Sequence, residues 1–303
     1  MSTNAPASAE AGITPTVKTF FSRYTVLDIL ERICSGKVDA VLRWLDAKKI
    51  DPKKSLVIGT YLTGSRLANT LVKRAPVSVI DIYPHLGYFL DPAVSFTSTF
   101  SEVERSGWDF IMDTSGLGGV RPVDLRGLAA PGAFLVEDPC SDGSDTTIRR
   151  TSRHRTLLKT VNAPHRGFLY TSGLQAKTSG TMTLTLEVIF NAMRNARDVE
   201  GVLYASSSLE FYERILFKEQ DPARFLSLLK RPALIVSTLE GIDCDAIIEQ
   251  NLSKIKSVVI DYPAEEENAG TSVFQADRKK NSLGPVVGGR SGWFYRPWRS
   301  PSS

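Results

Sequence analysis

The chain has 303 residues, 42% of them hydrophobic and 23% charged. This balance suits one large α/β domain with added elements, or two small ones. No apolar stretch reaches the roughly 18–20 residues needed to cross a bilayer. "MSTNAPASAEAG" lacks the basic and apolar regions of a signal peptide and reads as a disordered lead over 1–12. The net charge of +4 is carried by the tail. From Asn268 to Ser303 six basic residues face one acid, a balance of +5, so residues 1–267 sum to −1. The body is therefore no basic platform for nucleic acid, and no membrane partner is expected. Cys34, Cys140 and Cys244 are far apart and odd in number. They form no zinc spacing and read as reduced thiols of a cytoplasmic protein.

Residues 13–50 read as a helical element. "TVLDILERI" (25–33) and "VDAVLRWLDA" (38–47) space their apolar residues by three and four, and "SGK" (35–37) suggests a break between them. Leu27, Leu30, Val38, Val41, Leu42 and Leu45 form the expected packing face. From 51 to 263 strand and helix patterns alternate. "SLVIG" (55–59) is a buried-strand run, and residues 64–74 a helix with Leu67, Ala68, Leu71 and Val72 on one face. "VSVIDI" (77–82), "DFIMDTSG" (109–116), "AFLVED" (133–138) and "RGFLYTSG" (166–173) are further strands, with a short helix over "PVDLRGL" (122–128). "TMTLTLEVIFNAMRNA" (181–196) begins with strand-like alternation but is read as helix. "PALIVST" (232–238), "DAIIEQNLSKI" (245–255) and "SVVIDY" (257–262) form the last α/β unit. The pattern predicts a mostly parallel sheet with helices on both faces. Periodicity stops near 264. The tail to 303 contains "WFYRPWR" (293–299) and reads as disordered, or as a docking segment.

Ligands of such sheets sit beyond the C-terminal ends of the strands, at the switch in strand order. The sequence places Gly59-Thr60, Asp81, Asp113-Thr114-Ser115-Gly116 and Glu137-Asp138 at those ends. Asp81 follows Gly59 by 22 positions, the spacing of an acid that binds ribose hydroxyls. "GTYLTG" (59–64) is neither GxGxxG nor a P-loop, and Tyr61 and Leu62 crowd the place a pyrophosphate would take. An adenosyl compound without phosphates, such as S-adenosylmethionine (SAM), fits this turn better than a dinucleotide. The amides opening the helix are a possible anion site. "EDPCSDGSD" (137–145) lacks the spacing of a calcium loop, and no base is indicated to activate Cys140, so no metal site or thiol nucleophile is assigned. "KTSGTMT" (177–183) carries more hydroxyls than helix capping requires.

Taken in order, "LVIGTYLTG", "VIDIYPHLGYFL", "DTSGLGG", "VEDPCSDGSD" and "KTSGTMTLTLEV" resemble the HcgC family. Its members are SAM-dependent pyridinol C-methyltransferases in the biosynthesis of the iron-guanylylpyridinol cofactor of [Fe]-hydrogenase. The resemblance spans about residues 13–195 and extends more loosely to Tyr262. The basic tail departs from it. It implies a Rossmann-like fold, a homodimer, and methyl transfer to a ring carbon of a hydroxypyridine. It assigns the cofactor to Gly59, Thr60, Thr63, Gly64, Asp81, Ile82, Asp113 and Thr114. The substrate falls to Tyr83, Pro84, Thr178 and Ser179, with His85, Lys177 and Thr181 as catalytic candidates. A nicotinamide-dependent oxidoreductase and a non-catalytic binding protein remain the alternatives, since fold alone does not choose.

Overall fold

The computed structural model describes residues 18–60, 62–115, 122–128, 131–137, 156–172, 221–230, 232–237 and 240–262. They belong to one compact unit, Met1–Pro263. Strand β1 (Lys18–Thr25) leads into helix α1 (Val26–Ala47). There follow β2 (Ser55–Ile58), α2 (Thr63–Leu71), β3 (Val77–Ile80), β4 (Ser95–Thr97) and β5 (Phe110–Asp113). Next come α3 (Pro122–Arg126), β6 (Ala133–Glu137), β7 (His165–Ser172), α4 (Pro222–Leu229), β8 (Pro232–Ser237), α5 (Cys244–Lys254) and β9 (Lys256–Asp261).

Seven strands form one sheet in the order β4-β3-β2-β5-β6-β7-β9. All neighbours run parallel except β9, which is antiparallel to β7. The chain winds outward from β2 through β3 to β4, then restarts on the other side at β5. The switch in strand order therefore lies between β2 and β5.

Each central strand is buried on both faces, so its residues alternate between two cores. Val57, Val79, Met112 and Leu135 pack with Val41, Trp44 and Leu45 of α1 and with Leu67, Ala68 and Leu71 of α2. Leu56, Ile58, Ile80, Ile111, Phe134 and Val136 pack on the other face with Leu125 of α3 and with Leu157, Leu158 and Val161. The mostly parallel sheet covered on both faces is the expected architecture.

Three expectations are corrected. Residues 18–25 are a strand, not helix; β1 pairs antiparallel with β8 in a separate two-stranded sheet. The Thr25 side chain accepts from the Asp28 amide, and the Asp28 carboxylate accepts from the Thr25 amide at 2.7 Å. This capping box fixes the start of α1 at Val26. The break at 35–37 does not exist. Gly36 costs the helix about 1 kcal/mol relative to alanine, but Ile33, Cys34, Lys37, Val38 and Val41 are all buried around it and carry the helix through. The last α/β unit also divides, because β8 leaves the main sheet for β1 while β9 joins it antiparallel. The short strand β4 carried too few residues to stand out in the sequence. The helix expected over 181–196 and the tail beyond 264 lie outside the described residues.

Helix α1 packs against α2 and against β7 and β9. Near its C-terminus the Trp44 indole N–H donates to Asp261 Oδ1 and Lys48 Nζ to Oδ2, both at 2.7 Å. Burial acts to raise the Asp261 carboxyl, but the bonds from Lys48 and Trp44 outweigh it and hold the group below its ordinary range.

Candidate functional site

The turn at the switch is one that only glycine permits in two places. Gly59 has φ +89°, a conformation that L side chains rarely adopt. Gly64 opens α2 against the backbone of that turn, and a Cβ on it would lie 1.8 Å from the Gly59 carbonyl oxygen and 2.6 Å from Thr114 Oγ1. The close approach of helix to strand anticipated for Gly64 is thus present as a backbone contact. Between them, Leu62 has φ 51° and ψ −73°, close to the strained classic γ-turn. The amides of Ser65 and Arg66 donate to the carbonyls of Thr60 and Leu62, so these two are not available to an anion.

Hydrogen bonds tie β2, β3 and β5 together at this level. The Gly59 amide donates to the Ile80 carbonyl at 2.8 Å, and the Thr114 amide to Ile58 at 2.8 Å. The Thr114 hydroxyl donates to the Gly59 carbonyl at 2.7 Å. Asp113 is buried, and its Oδ1 accepts from the Ser115 amide at 2.9 Å and from its hydroxyl at 2.6 Å. Asp113 therefore shapes the loop after β5. Thr60 and Thr63 are also buried.

Asp81 stands just past β3. Its Oδ2 accepts from both the amide and the hydroxyl of Thr60, each at 2.7 Å, and Oδ1 accepts from the Tyr83 amide at 3.0 Å. An ionised carboxylate offers about four acceptor positions, so these bonds leave roughly one, on Oδ1. The residue expected to grip a ribose also clasps the β2 turn. Both ribose hydroxyls reach it only if the Thr60 hydroxyl gives way.

Ile82 and Tyr83 follow, with 64% and 45% of their surfaces exposed, an apolar rim beside the acid. Pro84 opens a 3-10 helix, Pro84–Phe89, and the His85 ring tilts against Tyr83 at 5.8 Å between centroids. The fold thus gathers Gly59, Thr60, Thr63, Gly64, Asp81, Asp113 and Thr114 at one end of the sheet, with Ile82 to His85 next in the chain. Lys177, Thr178, Ser179 and Thr181 lie outside the described residues, as do Asp138 and Cys140.

The sequence reading missed Lys37. Helix α1 carries it into the core with no exposed side-chain surface, where Nζ meets Glu137 Oε1 at 2.5 Å. Its signal was the periodicity itself: residue 37 falls on the stripe of 33, 34, 38 and 41, where a lysine needs a buried partner.

A parallel sheet wound outward from β2 and β5, with small residues, an acid and apolar side chains at the carboxyl ends of the switch strands, defines a Rossmann-type fold, the class whose ligands sit at that edge. The model of the family described as "FeGP cofactor biosynthesis protein, methyltransferase HcgC" matches residues 10–259, and the chain belongs to that family. It is a methyltransferase family of iron-guanylylpyridinol cofactor biosynthesis, as its resemblance implied. Among solved structures, the chain is similar to HcgC of Methanococcus maripaludis, cocrystallised with S-adenosylhomocysteine and pyridinol. Identity is 28%, the match covers 83% of this chain and 98% of that one, and the TM-score is 0.70. A second match is the plantazolicin methyltransferase BpumL in complex with S-adenosylhomocysteine, at 13% identity, 69% and 83% coverage and a TM-score of 0.26, too slight a likeness to argue from.

Proposed function

We propose that the chain transfers the methyl group of SAM to a ring carbon of a hydroxypyridine precursor of the iron-guanylylpyridinol cofactor. The observation that carries this reading is the crevice itself. A glycine turn that is neither GxGxxG nor a P-loop stands beside an acid with an acceptor position left on Oδ1 and an exposed apolar rim. These features suit an adenosyl group without phosphates. When bound, SAM supplies a methyl group already activated by its sulfonium.

The rest is work for the chain. Asp81 Oδ1 would take a ribose hydroxyl, and Ile82 would cover the adenine. Gly59 and Thr114 would form the floor, with Thr60, Thr63, Gly64 and Asp113 holding its shape. Tyr83, Pro84 and His85 would bound the acceptor, aided by Thr178, Ser179 and Thr181, with His85 and Lys177 near its ring oxygens. Alignment of the ring carbon with the methyl group would supply much of the rate.

Titration of the purified protein with SAM and with NADH tests the reading. SAM is expected to bind and NADH not. Asp81→Ala should weaken SAM binding at least tenfold while the protein stays folded. Binding of NADH in place of SAM would overturn the assignment.

The same proposal includes a homodimer in the cytoplasm. Val258 and Ile260, 51% and 43% exposed, lie on β9 at the end of the sheet order and offer an apolar contact for a second copy. A monomer mass in light scattering at micromolar concentration would refute the dimer. Cell fractionation tests the compartment.

A further inference from the structure

A buried charge pair stands at the carboxyl edge of the sheet. Glu137 ends β6 and is 6% exposed; Lys37, on α1, is fully buried. Such pairs are weak contributors to stability, because desolvation offsets their attraction. Among the described residues, Lys37 is the one partner of Glu137, and it takes Oε1. The second oxygen, Oε2, accepts no hydrogen bond there. A carboxylate oxygen buried without a donor asks for a ligand or a role.

The strand register gives its place. Ile58 pairs with Asp113, and Asp113 with Val136. One step further, Gly59, Thr114 and Glu137 lie level across β2, β5 and β6. Neighbouring strands are about 4.8 Å apart, so the Glu137 backbone is about 10 Å from Gly59 and about 5 Å from Thr114. Glu137 shares its strand face with Ala133 and Leu135, the face that α1 covers. Glu137 therefore stands on the strand next to Thr114 and two strands from Gly59, at the level of the adenosyl floor.

We propose that Glu137, positioned by Lys37, is the proton acceptor that activates the hydroxypyridine; this rests on the methyl-transfer reading above. The O–H bond of the ring hydroxyl breaks and its proton passes to Oε2. The oxygen's electron pair delocalises onto the neighbouring ring carbon. That carbon forms the new C–C bond as the donor's S–C bond breaks, its electron pair remaining on sulfur. The hydrogen on the methylated carbon leaves to water as a proton, and Glu137 returns its own to the ring oxygen. One proton is released per turnover. Lys37 touches no substrate; it fixes the carboxylate and balances its charge.

The test uses 2,4-dihydroxypyridine as probe, with S-adenosylhomocysteine added, and ultraviolet difference spectroscopy at a pH where the free probe is neutral. The wild-type protein is expected to show the spectrum of the anion. Glu137→Gln should show the neutral probe, keep SAM affinity within threefold, and lower turnover roughly 10²–10⁴-fold, the usual contribution of a general base. If Glu137→Gln alone does not fold, Lys37→Met with Glu137→Gln removes both charges together and is read the same way. Lys37→Arg should retain the anion spectrum. An anion spectrum in either folded glutamine variant overturns the role, as does a loss of SAM affinity beyond threefold, which marks the pair as structural. A wild-type protein that binds SAM but holds the probe neutral sinks this inference alone. Failure of the wild type to bind SAM sinks the methyl-transfer reading and this role with it.

Discussion

Gly64→Ala perturbs the turn at its tightest point. The new Cβ would sit 1.8 Å from the Gly59 carbonyl oxygen, against the 3.0 Å below which real Cβ contacts essentially never fall. The backbones of α2 and the turn must therefore separate by about 1.2 Å, the difference between those distances. Neither neighbour has a soft way out. Gly59 is fixed by the hydrogen bond its N–H donates to the Ile80 carbonyl, and Thr114 Oγ1, 2.6 Å from the same Cβ, is spent on the Gly59 carbonyl. Forced overpacking costs roughly 1–3 kcal/mol and more against rigid backbone, so about 3 kcal/mol is expected. At about 2–4 °C per kcal/mol for a domain near this size, the midpoint should fall by roughly 6–12 °C. SAM affinity should fall at least tenfold, because the displaced backbone is the crevice floor. Thermal melting by circular dichroism and calorimetric titration read both. A melting point within 2 °C of wild type, with SAM affinity unchanged, would refute the packing argument.

The matched control is Gly36→Ala. A Cβ there meets nothing within 4 Å, so the mid-helix glycine is expected to gain about 0.5–1 kcal/mol on becoming alanine, with a rise of roughly 1–4 °C. A fall in the melting point would mean that α1 is not continuous across 36. Thr60→Val removes one of the two donors on Asp81 Oδ2 while keeping the side-chain shape. A hydrogen bond to a charged group contributes about 1.5–3 kcal/mol, so stability should drop by up to that amount, while SAM affinity should hold or rise as Asp81 is released toward the ribose. A loss of affinity would show that the clasp preorganises the acid. Asp261→Asn should lower the melting point at neutral pH. The folded protein holds this carboxyl below its unfolded value, so the stabilisation is complete above the unfolded value and is lost as pH falls through the depressed one. The two proteins should converge in acid; a gap that persists there would assign the effect to packing.

What the sequence disclosed and what it hid follow from the range of the forces involved. The β2–α2–β3 unit was legible because apolar runs such as Leu56–Ile58 report burial directly, and Gly59 and Gly64 mark backbone contacts no other residue tolerates. β1 was not legible. Of its eight residues only Ser22 is buried, and Phe21 is 69% exposed. Its strand state comes from pairing with β8, more than 200 residues away, which no local pattern encodes. Asp81 was placed correctly at the end of β3, but its bonds to Thr60 arise from the path of the turn, not from spacing. Lys37 was passed over because a lysine beside a glycine looks like a loop. Its fit to the apolar stripe of α1 was the competing signal.

The pairing of β1 with the far end of the chain bears on how the protein is made. The Ser22 hydroxyl donates to Asp245, 223 positions later, and Lys18 and Tyr24 reach Glu240 and Glu249. At 5–20 residues per second, the first strand leaves the ribosome roughly 11–45 s before its partners exist. Through that interval its open edge and Phe21 are available to any passing strand. Nascent chains stalled short of residue 232 should therefore be the species that chaperones hold and that aggregate when they do not.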